Sequence, residues 1–166
     1  NLKSLESHIS VSVVHPDMME NGWFFDNNYD GVTEDHLFGF KYLSEIYQKA
    51  DPNITTSVTV PILWDKKTNT IVNNESSEII RMFNSSFNEL TKNSDDYYPS
   101  DLKNEIDQLN DKVYPAVNNG VYRTGFAKTQ KAYNESVEYL FSTLDELDEL
   151  LSNKKDLTGE KITEAD

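Results

Sequence analysis

The chain has 166 residues, of which 37% are hydrophobic and 11% aromatic, a composition typical of a folded protein rather than a disordered one. Its 15 Lys and Arg face 29 Asp and Glu, which gives a formal net charge of −14. Such a charge repels phosphate backbones and anionic bilayers, so neither nucleic acid nor membrane partners are expected. No apolar run approaches the ~20 residues of a membrane span, and no leader is recognisable, so the chain is predicted to be cytoplasmic.

A metal site is not expected either. The chain contains no cysteine, which excludes disulfides and thiolate ligands within it. Its histidines, His8, His15 and His36, are scattered and lack the spacing of a ligand set.

The first residues of the chain predict a short helical turn, a strand and a loop. Apolar residues in segment 1–5 have the spacing of the last turn of a helix. The segment Ser10 to Val14 alternates as a strand and ends before Pro16, since a residue before proline avoids helical angles. Trp23 lies in the polar stretch that follows, where an indole more often covers a core than contacts a ligand.

A helix and a β-hairpin are predicted next. Apolar residues recur at helical spacing from Leu37 until Asp51 and Pro52 stop the helix. The alternation from Val58 to Leu63, a polar turn at 66–69 and a second β-prone run at 70–72 together predict the hairpin.

Pro61 has a particular place in the first strand of this hairpin. Because proline cannot donate to a ladder, it belongs at a strand entry or edge, where the bond before it can be cis. The N–H and C=O of Val60 are then left free for a ligand.

A second helix is predicted over 77–90. Residues 74–77 place a hydroxyl and a carboxylate at its N-terminus, beside unpaired N–H groups. The hairpin and the helix start could hold a small zwitterion, with Val60 pairing with its backbone, Glu75 meeting an ammonium, and Ser76 with nearby amides meeting a carboxylate. For Glu75 alone, the alternative is a carboxylate that the helix dipole favours by about 0.3–1 kcal/mol.

The second half of the chain is predicted to be all-helical, because no β signal appears after residue 74. Residues 91–97 form a polar linker between an α/β domain, 1–90, and an all-α domain, 98–166. In the second domain we expect a helix from about Pro99 that Tyr114-Pro115 kinks or ends, a turn at 118–120 and one long amphipathic helix. The apolar face of that long helix comprises Tyr133, Val137, Leu140, Phe141, Leu144, Leu147 and Leu151.

The end of the chain has the form of a helix start. Residues Thr163 to Asp166 match a capping box, with Ile162 as the apolar staple residue, so a further helix is expected to follow.

Four tyrosines lie around the first helix of the second domain: Tyr97, Tyr98, Tyr114 and Tyr122. Such tyrosines are usually core residues with a solvated hydroxyl. The alternative is an aromatic pocket in which a tyrosine donates a hydrogen bond to a phenolic oxygen.

The order strand, Pro, strand, turn, strand, Glu-Ser, helix resembles the glutathione-binding half of the thioredoxin-like glutathione transferases. Longer runs, such as DHLFGFKYLSEIYQKADP and VTVPILWDKKTNTIVNNESSEIIRMFN, resemble successive segments of the glutathionyl-hydroquinone reductases, the xi-class glutathione transferases. The resemblance covers nearly all of the chain. It implies an incomplete thioredoxin-like module followed by a glutathione-transferase-type helical module.

This resemblance also implies a ligand and its contacts. Glutathione is the expected co-substrate, with no metal, and glutathionylated hydroquinones are the expected substrates of a homodimer. The residues implied as glutathione contacts are Trp23, Val60, Pro61, Glu75 and Ser76. Family members bind the hydroquinone with tyrosines of the helical domain, and Tyr114 and Tyr122 are the candidates here.

The nucleophile of the resembling family lies outside the given residues. In the family, a Cys-Pro-Trp-Ala-His-Arg motif opens the helix whose tail residues 1–5 resemble, so the cysteine is expected upstream of Asn1. Further C-terminal helices are expected after residue 166. The implied reaction is removal of glutathione from a glutathionylated hydroquinone by that thiolate.

Two other functions remain open at this point. The chain could be part of a non-catalytic glutathione-transferase-like binding or structural module, which the absence of cysteine favours. It could also come from a conventional transferase that activates glutathione with a tyrosine or serine in the first turn of that upstream helix. A Cys-Pro-x-x-His run in the upstream coding sequence would favour the reductase.

Overall fold

The computed structural model describes residues 1–166, and the chain divides into two compact units, Asn1–Ser94 and Asp95–Asp166. The division falls inside the segment expected to be a linker. In chain order the elements are α1 (Leu43–Ala50), β1 (Leu63–Asp65), β2 (Thr70–Asn73), α2 (Ser76–Ser85), α3 (Asn88–Thr91), α4 (Lys103–Val113), a π-helical turn (Tyr114–Asn118), α5 (Asn119–Gly125) and α6 (Gln130–Leu151). Both strands lie in the first unit and the second has only helices, which confirms the predicted order of α/β then all-α.

None of the helices combines the length and apolar character that a membrane span requires.

The predicted hairpin is present, although its first strand is shorter and begins later than expected. Strand β1 pairs antiparallel with β2, and Trp64 lies opposite Ile71. The register shifts between Leu63 and Trp64, so Val72 is an extra residue that bulges from β2. Residues 58–62 therefore precede the ladder rather than belong to it.

The hairpin turn is organised by the carboxylate of Asp65. Its Oδ2 accepts a hydrogen bond of 2.7 Å from the Thr68 hydroxyl, and its Oδ1 accepts one of 2.7 Å from the N–H of Lys67. These bonds favour the ionised form, so they hold the pKa of Asp65 below its ordinary value.

Acid is therefore expected to loosen this turn. Because the folded pKa lies below the unfolded value, the contribution to stability is complete above about pH 3.9, the ordinary pKa of an aspartate, and is lost as the pH falls through the lowered folded pKa. An NMR titration of the Lys67 and Thr68 amide shifts should show a midpoint below the ordinary value, and Asp65→Asn should remove the titration. A midpoint at or above the ordinary value would contradict this role of the carboxylate.

Helix α1 begins later than the apolar pattern predicted and ends, as predicted, just before Asp51 and Pro52. The residues ahead of it form a turn around the buried carboxylate of Asp35. This carboxylate accepts hydrogen bonds of 3.0 to 3.1 Å from the backbone N–H groups of Leu37, Phe38 and Phe40. A side chain that takes these N–H groups competes with the helical pattern, which accounts for the later start.

The predicted strand at 10–14 was wrong. Residues 10–14 form no ladder, and Val11 is 72% exposed. A strand needs a neighbour at hydrogen-bonding distance, whereas the backbone of Val13 bonds to Thr33 instead. At the N-terminus, the N–H of Ser4 bonds to the C=O of Asn1 at 3.0 Å, and Ser4 takes a left-handed φ of 56°, a conformation in which helices commonly end. The last turn of a helix at 1–5 therefore stays a prediction.

The core of the first unit lies between α1 and the residues around the hairpin. Its buried members are Phe25, Leu43, Ile46 and Tyr47, and partly buried side chains such as Trp64 and Ile71 pack against them. Helix α1 thus presents its apolar stripe to this core. Because the hairpin packs on the same core, α1 determines where the hairpin and the segment before it lie.

The helix predicted over 77–90 is divided into α2 and α3. Helix α2 begins one residue earlier than expected, at Ser76, and ends at Ser85. Phe87, between the two helices, has φ −112° and ψ 6°, outside the helical region. Its ring meets that of Phe83 edge-on, with centroids 5.9 Å apart.

The second unit confirms the effect predicted for Pro115 but not the turn predicted after it. Helix α4 ends at Val113, and the π-helical turn contains Pro115, which lacks the N–H that an α-helix would use. The predicted turn at 118–120 was wrong, because these residues continue into α5. Gly120 is buried, and helix α6 packs beside it, with Leu140 near the position of a Cβ. Tertiary packing therefore outweighs the turn preference of Asn-Asn-Gly.

The long helix is confirmed as α6, but only part of its apolar face is buried. Leu140 and Thr143 are buried, whereas Phe141 is 57% exposed. Besides these and Gly120, the buried residues of the second unit are Ile106, Ala116, Leu157, Thr158 and Thr163.

The C-terminal residues make one of the two bonds of the predicted capping box. The Asp166 carboxylate accepts a hydrogen bond of 2.8 Å from the N–H of Thr163 and one of 2.6 Å from the N–H of Leu157. Thr163 also contacts the hydroxyl of Thr158 at 3.2 Å. This polar group orders the last residues of the chain.

Candidate functional site

The first component of the site is the backbone at Val60. The Val60–Pro61 peptide bond is cis, and Val60 is 44% exposed. Neither its N–H nor its C=O has a hydrogen-bond partner in the chain, since the ladder begins only at Leu63. An exposed, unpaired backbone of this kind can add one peptide segment by strand-like pairing. The sequence prediction of a free backbone at Val60 is confirmed.

The second component is the N-terminus of α2. Glu75 is the N-cap residue, and its C=O accepts the N–H of Ile79 at 3.0 Å. No side chain caps the helix, so the predicted capping hydroxyl was wrong, and the N–H groups of Ser76, Ser77 and Glu78 have no partner. Unpaired N–H groups at a helix start attract anions, because their partial charges add to the helix dipole. This helix start can therefore accept a carboxylate.

The side chains around this helix start are also exposed. The Glu75 carboxylate accepts only a long bond, 3.4 Å, from the hydroxyl of Ser77. The backbone N–H of Glu75 is held by the Asn73 carboxamide at 2.7 Å. Glu75 and Ser76 thus have fixed backbones and accessible side chains. They present one anionic group and one hydroxyl beside the unpaired N–H groups.

A buried hydroxyl joins these two components. The hydroxyl of Tyr47 donates to the C=O of Thr59 at 2.8 Å and accepts the Nδ2–H of Asn74 at 3.2 Å. Asn74 Nδ2 also lies 3.3 Å from the Thr59 hydroxyl. Val60 directly follows Thr59 in the chain, and Glu75 directly follows Asn74. The two components therefore belong to one locality of the first unit.

The position of Trp23 agrees with a core role, without testing a ligand role. The indole is partly buried and packs against the core of the first unit. Its C=O accepts the N–H of Leu43 at 2.9 Å, which ties the loop to the start of α1. A glutathione contact for Trp23 stays a prediction.

The tyrosines of the second unit fall into two groups. Tyr97 and Tyr98 are half-buried, and the Tyr98 hydroxyl donates to Asp107 at 2.7 Å. In contrast, Tyr114 is 46% exposed and Tyr122 is 65% exposed. The Tyr122 ring is stacked on that of Phe126, with centroids 6.5 Å apart. Exposure contradicts the core role for Tyr114 and Tyr122 in this chain, and their role at a substrate stays a prediction.

Two residues that join the site, Tyr47 and Asn74, were not predicted as site residues from the sequence. In the sequence, Tyr47 belongs to the apolar stripe of α1, and Asn74 belongs to the residues before α2. A signal existed, because a tyrosine buried by a helical stripe must find a partner for its hydroxyl. The identity of that partner depends on how α1 packs beside the hairpin, which no local pattern specifies.

Comparisons with known proteins agree with this description of the fold. No protein-family model matches the chain. Glutathionyl-hydroquinone reductase YqjG of Escherichia coli K12 is 52% identical over 165 residues, which are 99% of this chain and 50% of that protein. Glutathionyl-hydroquinone reductase PcpF of Sphingobium chlorophenolicum is also 52% identical, over 99% of this chain and 52% of its own length. The chain thus spans about half the length of these relatives.

Solved structures show the same relationship. The glutathione-bound structure of YqjG, a glutathione transferase homologue from Escherichia coli K-12, matches 99% of this chain and 53% of its own, with a TM-score of 0.94. Glutathione transferase Xi 1 from Trametes versicolor matches 99% of this chain and 58% of its own, at 50% identity and a TM-score of 0.93. The xi glutathione transferase ECM4 from Saccharomyces cerevisiae in complex with glutathione has a TM-score of 0.88 at 35% identity, over 99% of this chain and 63% of that one.

Fold and sequence together define the class. The first unit is part of a thioredoxin-like module and the second is a glutathione-transferase-type helical module, as the resemblance implied. The chain belongs to the glutathionyl-hydroquinone reductase family, the xi-class glutathione transferases.

Proposed function

We propose that this chain supplies the glutathione-binding part of a glutathione-dependent reductase, which removes glutathione from glutathionylated hydroquinones. The observation that carries this proposal is the presence of unpaired backbone groups at two places, Val60 and the start of α2. The Tyr47 hydroxyl bonds to Thr59 and Asn74, the residues just before Val60 and Glu75, and so links the two places. Its relatives support it, because they include proteins named glutathionyl-hydroquinone reductases and structures with glutathione bound.

The proposed mode of binding follows the charges of the tripeptide. The free N–H and C=O of Val60 pair with the backbone of the cysteinyl residue. The γ-glutamyl carboxylate meets the unpaired N–H groups and the Ser76 hydroxyl, while the adjacent ammonium meets Glu75. Pro61 and Trp23 complete the contacts. Because the cysteinyl backbone and the γ-glutamyl group each have their own partner, the cysteinyl sulfur is held in one place, which is the positional part of the catalysis.

The chemistry itself needs a thiolate that this chain does not contain. In the proposed reaction, a cysteine thiolate elsewhere in the complete protein attacks the glutathionyl sulfur and forms a protein–glutathione disulfide. The carbon–sulfur bond to the aromatic ring breaks, and the ring carbon takes a proton to give the hydroquinone. A second glutathione thiolate then attacks the mixed disulfide, which releases glutathione disulfide and restores the protein thiolate. Tyr114 and Tyr122 are proposed to contact the aromatic substrate.

Calorimetric titration of the complete protein tests the binding proposal. We expect reduced glutathione to bind, whereas cysteinylglycine, which lacks the γ-glutamyl group, should show no binding over the same concentration range. The dipeptide keeps the cysteinyl residue that pairs with Val60. It lacks the γ-glutamyl carboxylate and ammonium that are proposed to meet the start of α2 and Glu75. Equal heats from both ligands, or none from glutathione, would contradict the proposed site.

A second candidate is a glutathione-transferase-like module that binds glutathione without catalysis, which the lack of cysteine in these residues favours. Both candidates use the same ligand site, so binding alone does not separate them and thiol-dependent turnover does. Assembly as a homodimer and a cytoplasmic location stay predictions.

A further inference from the structure

The hydroxyl of Tyr47 has its whole hydrogen-bonding capacity used by two residues of the candidate site. It donates its proton to the C=O of Thr59 at 2.8 Å, and accepts the N–H of Thr59 at 3.3 Å and the Nδ2–H of Asn74 at 3.2 Å. A tyrosine hydroxyl has one proton and two lone pairs, so no capacity remains. The oxygen is thus occupied entirely by the residues that precede Val60 and Glu75.

We propose that Tyr47 is a positioning residue for glutathione, and that its hydroxyl sets the separation between the backbone of Val60 and the start of α2. The proposal rests on the proposed function. Because both the N–H and the C=O of Thr59 are held, the peptide planes on either side of that residue are fixed before the chain reaches Val60. On the other side, the bond from the Asn74 carboxamide holds the residue before Glu75.

The burial of Tyr47 makes this arrangement rigid. The side chain is only 2% exposed, and its ring packs in the core of the first unit with Phe25, Leu43 and Ile46. The position of the hydroxyl is therefore determined by helix α1 rather than by the loops it contacts. Low local dielectric strengthens such bonds and makes an unpaired group costly. The segments that contain Thr59 and Asn74 are therefore expected to keep the same separation when no ligand is bound.

The consequence concerns affinity rather than chemistry. A ligand that spans two loops binds more weakly if the loops must first be ordered, because that ordering cost is subtracted from the binding free energy. Removing the hydroxyl should leave every direct glutathione contact in place and still weaken binding. This distinguishes a positioning residue from one that touches the ligand.

The first test compares Tyr47→Phe with Tyr98→Phe in the complete protein. Each variant loses one phenolic hydroxyl that is hydrogen-bonded within the chain, and the Tyr98 hydroxyl bonds to Asp107 in the second unit. Calorimetry should show a Kd for glutathione about 3- to 10-fold higher for Tyr47→Phe, the scale of one hydrogen bond, and unchanged for Tyr98→Phe. Thermal unfolding of both variants measures their stability, so an affinity change can be separated from a general loss of folded protein.

Asn74→Ala supplies a second test that leaves the core intact, because this side chain is exposed. It removes the bonds to both the Tyr47 and Thr59 oxygens and should also raise the Kd. If the two residues act through one network, the double variant should lose less affinity than the sum of the single losses. Fully additive losses, or an unchanged Kd in Tyr47→Phe, would overturn the positioning role.

Failure of the inference can be told apart from failure of the proposed function. If the unmodified protein binds glutathione and Glu75→Ala weakens that binding, the site stands, and an unchanged Kd in Tyr47→Phe refutes only the positioning role. If the unmodified protein binds no glutathione, both are refuted.

Discussion

Replacing Glu75 with alanine in the complete protein is expected to weaken glutathione binding by about 1.5–3 kcal/mol, or roughly 10- to 150-fold in Kd. The expectation follows from an exposed carboxylate whose nearest bond within the chain is a long one to Ser77, at 3.4 Å. Such a carboxylate is available to a ligand ammonium, and a charge-assisted hydrogen bond is about twice as strong as a neutral one. The measurement is a calorimetric titration with reduced glutathione.

The control for this prediction is Glu78→Ala. Glu78 is also exposed and lies in the first turn of the same helix, so it interacts with the same dipole. A general electrostatic effect would change both variants alike, whereas a direct contact changes only Glu75. Glu75→Gln refines the result, since it keeps the shape of the side chain and loses its charge. If Glu75→Ala binds glutathione as well as the unmodified protein does, Glu75 is not part of the site.

The second large effect concerns turnover. The 166-residue chain by itself is expected to show no thiol-dependent reduction of a glutathionylated hydroquinone, because it contains no cysteine. Under the proposed function, the complete protein should catalyse this reaction through a cysteine outside these 166 residues. Release of the hydroquinone can be followed by chromatography under anaerobic conditions, with glutathione in excess.

The matching control is the complete protein with that cysteine changed to serine. We expect this variant to bind glutathione with little change and to lose turnover, since the contacts proposed here are made by residues of this chain. Turnover by the 166-residue chain would refute the thiol mechanism. A complete protein that binds glutathione but turns over no glutathionylated hydroquinone would favour the non-catalytic module instead.

The features that the sequence predicted best are those with a local cause. Pro61 cannot donate to a ladder wherever it is placed, so an interruption of strand pairing at Val60 could be deduced from the residue type alone. Pro115 ended helix α4 for the same reason. The apolar repeat of α6 extends over several turns, so the repeat itself is enough to predict the helix.

The features that were predicted wrongly depend on hydrogen-bond partners and packing that the apolar pattern does not record. The alternation at 10–14 is that of a strand, but a strand also needs a neighbour, and the backbone of Val13 bonds to Thr33 instead. The start of α1 was moved by the carboxylate of Asp35, which takes N–H groups that a helix would use. Asn-Asn-Gly favours a turn in isolation, but burial of Gly120 beside α6 kept it helical.

The resemblance of long runs of the sequence to a known family indicated the class of this protein. The residues themselves determined the order of its two units and the chemical groups of the candidate site. These follow from residue type and spacing, which act within a few residues of the chain. The tertiary structure decided that Val60 and Glu75 belong to one locality, because Tyr47 reaches Thr59 and Asn74 only after α1 has packed beside the hairpin. Hydrogen bonds between residues far apart in sequence form only when burial brings their partners together, and no local pattern records which partner a buried hydroxyl will meet.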